Sequence, residues 1–465
     1  MGVAAGLFYS TNDPQKSLDY RIRPSDEQYR SQEERWNDLR EVLLADLSEK
    51  SGCPMYSWLQ GSYKFGTQIR PASAGQEFDI DLGVYFRWSG QPTDGAHTPV
   101  DLKDLIQGSL ETYAEDPGND AEGVSEPKPR CSRIHFADDF HIDIPGYHLD
   151  SDRDARSLAT SDDTWEDSDP KAIYKWWKDT FDGAARPRVR RSVRYLKMWG
   201  ALAFPDGDRP SSIMLTILAG DAYNAINPDE FTGDDELLAG LAAEISRRLH
   251  RDSSVANPVN KAENLNRLSA ESFASVKERL DTFVATAQRA VACTSKAASA
   301  EVWAEIFQHF FEIPDEEDED VLMEKANALP AVSFNPQVAV TAKSKDGQRF
   351  WKGENEIGPI PKGCELEFAL TNVLELPPGA EVSWTIRNSG NEAEKENDLG
   401  HSGGTGYSRK ETSAYRGRHF VDVAVKVNGS LIGRRRIPVE VTGMGWPTQR
   451  ARARPTYGKF RSKRR

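Results

Sequence analysis

Residues 77–86, EFDIDLGVYF, constrain the chain more than any other stretch. Phe78, Ile80, Leu82, Val84 and Phe86 alternate with Asp79, Asp81 and Gly83. Period-two alternation marks a strand with one apolar and one polar face, so both carboxylates share a face. Carboxylates that close repel unless cations lie between them. Hard oxygen ligands suit Mg²⁺ or Mn²⁺, and two such ions roughly 3.5–4 Å apart align a nucleophile and a leaving oxygen for in-line phosphoryl transfer. Taken alone, an Asp-x-Asp pair is most often a plain polar strand face.

Here it has company. The strand-like YSWLQ runs into Gly61-Ser62, with Gly66-Thr67 shortly after; a Gly-Ser turn lets backbone N–H groups and a hydroxyl approach a triphosphate. Further on, His141-Ile142-Asp143-Ile144-Pro145 places Asp143 between two apolar strand residues, and an acid on an inner strand needs a partner or a metal. In that order, the Gly-Ser turn, the Asp pair and the third strand Asp form the layout of a polymerase-beta-type nucleotidyltransferase palm.

Composition bounds what surrounds this core. The 465 residues carry a net charge of −14 and are 38% apolar, as expected of a soluble globular protein. No run approaches the ~18–20 apolar residues needed to cross a bilayer, and the N-terminus has no basic region before its short apolar patch, which argues against a secretory signal. Eight Lys/Arg and no acid fall between 450 and 465, leaving about −22 on the rest. An acidic body repels long nucleic acid and argues against activation by it. Cys53, Cys131, Cys293 and Cys364 are far apart, which fits a reducing cytoplasm and no disulfide framework. The eight histidines form no HExxH and no close metal spacing, so iron and zinc have no visible home.

Residues 25–50 read as a capped helix, followed by strand–turn–strand to about 88 and a helix around 99–114. A loop is expected over 115–130, then strands at 131–136 and 140–147. From 169 to about 312 the pattern is helical, opened by Asp169-Pro170. There Arg190, Arg194 and Lys197 form a stripe that by spacing alone reads as a solvated face. Six acids at 315–320 read as a solvated loop. Short β-type segments then appear at 337–343, 364–371, 381–387, 418–427 and 431–441, with an Asn-Gly hairpin signal in VKVNGSLIG. The expected fold class is α+β. A nucleotidyltransferase core spans 1–330, with its palm at about 50–150 and a helical lobe at about 165–315. An all-β immunoglobulin-like sandwich follows at 331–445, and a basic tail at 446–465.

The motifs QGS, RP, GQEFDID and HIDIPGY, followed by WEDSDPKAIYKWW and RYLKMW, span roughly residues 55–270. In that order they resemble the DncV-like branch of the bacterial cGAS/DncV-like nucleotidyltransferases, which make cyclic oligonucleotide second messengers in anti-phage (CBASS) defence. The resemblance implies a metal triad of Asp79, Asp81 and Asp143 holding two Mg²⁺, with Mn²⁺ as a substitute, and Asp143 helping to deprotonate the attacking hydroxyl. It implies that Gln60, Gly61 and Ser62 meet the donor nucleotide and that Lys197 and Ser211 hold the triphosphate. Arg133 matches a family arginine, with one residue fewer before the third Asp. Asn264 falls where the family has a base-contacting Asp, and an amide both donates and accepts, so guanine recognition does not carry over unchanged.

The implied substrates are ATP and GTP and the implied product is cyclic GMP-AMP. The alternatives are another cyclic or linear oligoadenylate, or a catalytically silent nucleotide sensor. A downstream effector would read the product. WTIRNSGNEA and ETSAYRGRHFVDVAVKVNG resemble the sensor-type C-terminal domain of such synthases, so a regulatory partner is expected at that domain or the tail. Its marks Trp384 and Tyr415 read as sandwich core, and His419 as structural.

Overall fold

The computed structural model describes residues 2–72, 76–137, 140–205, 207–314, 333–427 and 430–442. Contacts divide the chain into two units, Met1–Ala328 and Leu329–Arg465. The acidic run at 315–320, the 428–429 turn and the basic tail lie outside the described residues.

The first unit opens with two short helices, α1 (Ala5–Phe8) and α2 (Leu18–Ile22), then the long α3 (Asp26–Ser51). Ser25 starts α3 with a reciprocal capping box to Gln28, which satisfies two helix-end donors. Strand β1 (Met55–Gln60) runs directly into the one-turn helix α4 (Gly61–Phe65), and β2 (Phe78–Trp88) is followed by α5 (Pro99–Ala114). The expected loop at 115–130 contains a short strand, β3 (Ala121–Val124). After it come β4 (Ser132–Phe136), β5 (Phe140–Ile144) and β6 (Gly146–Asp150), then β7 (Ala155–Ala159) and β8 (Trp165–Asp167). The sheet order is β3-β4-β5-β2-β6-β7-β8, with β1 paired to β2.

The sheet therefore runs to Asp167, past the expected palm boundary near 150. Residues 151–164 are rich in Asp and Ser, yet β7 lies among them and pairs with β6 on one side and β8 on the other. The expected single strand 140–147 is broken at Pro145, which has no N–H to give a ladder. Both halves run parallel to β2.

The alternation in β2 sorts the two faces of the sheet. Phe78, Ile80, Leu82, Val84 and Phe86 join Ile134, Ile142 and Ile144 beneath Leu39, Leu43 and Leu47 of α3 and Leu102, Ile106 and Leu110 of α5. Burying a side chain of this size contributes roughly 1.5–3 kcal/mol, so the apolar row fixes which way the aspartates point. The helical part follows as α6 (Pro170–Thr180), α7 (Ala185–Ala203), α8 (Ser212–Ala225), α9 (Asp234–Arg251), α10 (Ala270–Ala292) and α11 (Lys296–Phe307). Asp169 caps α6 through the Ala172 N–H, with Pro170 at its first turn, as the sequence predicts.

In the second unit the described strands form two sheets. Val338–Lys343, Phe350–Glu354, Glu365–Leu370 and Ser408–Thr412 make one; Ile357–Pro361, Ala380–Arg387, Gly400–Thr405, Gly417–Val427 and Ser430–Thr442 make the other. Val340 and Phe368 of the first sheet share one core with Trp384, Val423 and Val439 of the second, so the unit is a sandwich. Val427 pairs with Ser430 across the hairpin. Trp384 is buried, and its indole N–H donates to the Gly406 carbonyl at 2.8 Å. Tyr415 is only half-buried and donates to Asp398 at 3.0 Å, so it is a polar clasp where the sequence suggested core. His419 is buried against the Tyr415 carbonyl at 2.9 Å and the Ser389 N–H.

Candidate active site

Strand register arranges the polar face of the sheet as two rows. β2 and β5 are parallel, with Asp81 opposite Asp143 and Asp79 opposite His141. β4 adds Arg133 beside Asp143 and His135 beside His141, and β1 places Gln60 beside Asp81. Cross-strand partners share a face. One row thus reads Arg133, Asp143, Asp81, Gln60; the next reads His135, His141, Asp79.

The first row carries the charge conflict. Asp143 is gripped by Arg133, with Nε–Oδ1 at 2.5 Å and Nη2–Oδ2 at 2.8 Å, and Lys128 stands 3.5 Å from Oδ2. Burial works against ionised Asp143, but the Arg133 guanidinium, helped by Lys128, holds its carboxyl below the usual range. Asp81 has no such partner. Burial, then the charges of Asp79 and Asp143, push its carboxyl well above the usual range, and Lys197 and Arg133 offset this only in part. Carboxylates held this close favour further positive charge between them, so the donor set fits hard divalent ions. Asp79, His141 and Asp143 also bring one ligand atom each within 4.8 Å of one another.

Gln60 is buried, and both ends of its amide are engaged. It donates to the Tyr85 hydroxyl at 2.9 Å and accepts from Tyr147 at 3.1 Å, while those two rings stack on each other. The structure thus places Gln60 as a support beside Asp81. Gly61 follows at φ +55°, with the Asp81 carboxylate against its Cα. Only glycine adopts that backbone without strain and leaves the carboxylate room.

Ser62 borders a cavity of about 500 Å³ that Asp79, Arg133, Lys197, Arg209 and Ser212 also line. Opposite the sheet, the cationic stripe of α7 faces inward. Arg190 Nε donates to the Phe65 carbonyl at 2.8 Å, Arg194 Nη1 to Gly66 at 2.6 Å and Lys197 Nζ to Thr67 at 2.9 Å. Three cations at successive turns thus take three successive carbonyls at the end of α4, a favourable place for positive charge. The solvated-face reading fails because the exposed α4 carbonyls supply partners that helix periodicity does not reveal. Burial pushes the Lys197 ammonium down to about 8, against the opposing pull of Asp79 and Asp81.

Ser211 and Asn264 lie apart from this cavity. Ser211 caps α8, its Oγ accepting from the Met214 N–H, and its neighbour Ser212 is the one at the cavity wall. Asn264 is exposed, and its Oδ1 accepts from the Val255 and Asn266 N–H groups at 2.9 and 3.0 Å. Sequence reasoning missed Glu77, His135 and His141. His141 donates or accepts at both nitrogens, 2.7 Å from Glu77 Oε2 and 3.0 Å from Asp79 Oδ1. Its position two residues before Asp143 on the same strand was the available signal.

Residues 56–147 match the family described as "Cyclic GMP-AMP synthase DncV-like, nucleotidyltransferase domain". Residues 318–442 match the "Adenylyl/Guanylyl and SMODS C-terminal sensor domain". A cyclic GMP-AMP synthase of Escherichia albertii is 27% identical over 443 residues, covering 94% of this chain and 95% of the relative. A c-di-GMP synthase of Roseivirga ehrenbergii is 26% identical over 244 residues, 44% of this chain and 59% of the relative. Among solved structures, a mutant of the Vibrio cholerae di-nucleotide cyclase in complex with ATP and GTP superposes with a TM-score of 0.57 at 20% identity. That match covers 67% of this chain and 97% of the other and bears on the fold. The strand-borne aspartates fall within the segment that matches the DncV-like nucleotidyltransferase domain and the sandwich within the segment that matches the sensor domain, and together these matches support a DncV-like nucleotidyltransferase with a C-terminal sensor domain.

Proposed function

We propose that the chain is a Mg²⁺-dependent synthase that joins ATP and GTP into a cyclic dinucleotide, cyclic GMP-AMP, as a signal in anti-phage defence. The observation that carries this reading is the strand register that sets Asp81 opposite Asp143 beside Asp79, with Asp79 bordering a cavity that Lys197 also lines. Asp79, Asp81 and Asp143 would hold two divalent ions, Mn²⁺ serving in place of Mg²⁺. Such ions neutralise charge on a triphosphate and lower the pKa of a hydroxyl bound to them.

The protein's own part is positioning and charge. Lys197, beside the α4 turn, faces the cavity as a buried ammonium suited to phosphate oxygens. Ser62, with Gly61 behind it, borders the donor side, and Gln60 steadies the strand end beneath. Arg133, which now pairs with Asp143, would be free to meet a phosphate if Asp143 held an ion. Asp143 would help to deprotonate the attacking hydroxyl. Two rounds, each expelling pyrophosphate, close the ring.

Relatives named for two products motivate one test. Protein, Mg²⁺ and four labelled nucleoside triphosphates should yield a phosphatase-resistant product whose mass and linkage identify it. Cyclic di-GMP instead would follow the Roseivirga relative, and an all-adenine product would move the assignment again. Full activity in Asp79→Ala/Asp81→Ala would refute the mechanism. Ser211 and Asn264 would reach the nucleotide only if their loops rearranged around it. The effector and any partner of the sensor domain follow from the family's role in signalling. No helix among the described residues is long and apolar enough to cross a membrane, and we place the reaction in the cytoplasm, where its substrates are.

A further inference from the structure

The second row of the sheet face has its own chemistry. His135 Nδ1 lies 2.9 Å from Glu77 Oε2, and His141 Nδ1 lies 2.7 Å from the same oxygen. Strand pairing sets the two rings side by side, with His135 opposite His141 and centroids 5.8 Å apart. One ligand atom from each of the three residues falls within 4.8 Å of the others. The outward nitrogens are also held: His135 Nε2 is 2.6 Å from Ser125 Oγ, and His141 Nε2 is 3.0 Å from Asp79 Oδ1. Imidazoles that ligate metals are oriented in this way, one nitrogen on the ion and the other on an oxygen partner.

We infer that Glu77, His135 and His141 form a binding site for a borderline transition-metal cation of the Zn²⁺ class, separate from the carboxylate site beside it. Two imidazoles and one carboxylate select such an ion over Mg²⁺, which keeps to oxygen ligands. Around a tetrahedral Zn²⁺ with bonds of about 2.0–2.1 Å, neighbouring ligand atoms stand ~3.3 Å apart. The present N···O separations need to open by only about half an ångström, within reach of side-chain torsions. All three residues border the cavity, so the ion has an entry path and a fourth position for water or a ligand oxygen. Because His141 touches Asp79 on its far side, occupancy of this site acts on the orientation of a catalytic carboxylate.

Sequence spacing does not reveal this set of three. The ligands fall at 77, 135 and 141, and only the register of β2, β4 and β5 unites them.

Direct metal binding to the full-length protein tests the inference independently of catalysis. Titrated with Co²⁺ alone, the Asp81→Asn protein should take up about one equivalent. It should show visible bands of the intensity expected for a four- or five-coordinate nitrogen-containing site, displaced by Zn²⁺. His135→Gln should weaken Zn²⁺ binding by about 100-fold or more, with its circular dichroism unchanged. X-ray absorption at the zinc edge of the wild-type protein supplies the second measurement, since it needs no variant to fold. Two imidazole shells at ~2.0 Å are expected. A zinc environment of oxygen only, or undiminished Zn²⁺ binding in His135→Gln, overturns the site. Loss of nucleotide synthesis with Zn²⁺ binding intact would count against the proposed reaction and leave this site standing.

Discussion

The Asp81 carboxylate rests against the α-carbon of Gly61: a methyl group there would stand 1.8 Å from Oδ2. Gly61→Ala therefore forces Asp81 out of its row, and the positive φ adds roughly 1–2 kcal/mol of backbone strain. We expect synthesis to fall by at least about 100-fold, while the thermal midpoint drops by only a few degrees. Pyrophosphate release and differential scanning fluorimetry on one preparation would separate the two effects. Near wild-type synthesis would mean that the Gly61 contact does not set the Asp81 position.

Lys197 gives the site a pH signature. With the ammonium pushed down to about 8, the nucleotide-free protein loses this proton well before an ordinary lysine does. A triphosphate favours the charged form, so binding above about pH 8 takes up a proton and weakens as pH rises. Calorimetry with a non-hydrolysable nucleotide at pH 8.5, in two buffers of different ionisation enthalpy, should show the uptake, and Lys197→Met should lack it. Stability has the opposite sign. Between about 8 and the usual lysine value the unfolded chain binds more protons, so this residue's contribution to folding increases with pH.

Arg133 occupies both oxygens of Asp143. Removing it leaves a largely buried carboxylate with Lys128, 3.5 Å away, as its remaining ion pair among the described residues, a loss of roughly 1–3 kcal/mol. Divalent metal restores the missing charge. Arg133→Met should therefore melt lower than wild type in EDTA, and Mg²⁺ should raise its midpoint more than it raises that of the wild type. Equal Mg²⁺ shifts in the two proteins would show that Arg133 and metal do not share Asp143.

The sandwich has a titrating clasp of its own. Hydrogen bonding to Asp398, then to Glu411, raises the His401 imidazole to about 9, against the effect of burial. Its folded value lies above the unfolded one, so the stabilisation is complete below about pH 6.5 and disappears as pH rises through about 9. Allowing for the solvent-facing side of the ring, it amounts to on the order of 1 kcal/mol. Thermal unfolding of the full chain between pH 6 and 9.5 should show a transition that declines over this window, and His401→Gln should flatten it. An unchanged slope in that variant would exclude His401 as the titrating group.

How far the sequence could be read follows from what each element answers to. The β2 alternation was legible because burial of its apolar face alone decides it, and helices opened by Ser25 and Asp169 announce themselves by their caps. The α7 stripe was misjudged because its partners are backbone carbonyls of another element, which no spacing in α7 encodes. In the sandwich, the strands Phe350–Glu354 and Ser408–Thr412 went unseen. Both lie at an edge of their sheet and alternate exposed with half-buried residues, so neither carries an apolar row. Ser212, not the matching Ser211, reaches the cavity wall because the helix cap claims the earlier hydroxyl.

The pairing of β2 with β5 spans only four residue pairs, from Phe78 with Phe140 to Asp81 with Asp143. Asp79, Asp81, His141 and Asp143 are brought together by that short ladder. A slip of one residue would exchange Asp143 for an isoleucine and turn His141 toward the core. The enzyme's vulnerable part is thus an alignment as much as a set of side chains. Damage to the ladder that spares every carboxylate, such as Ile142→Pro, would silence the protein as completely as loss of the aspartates.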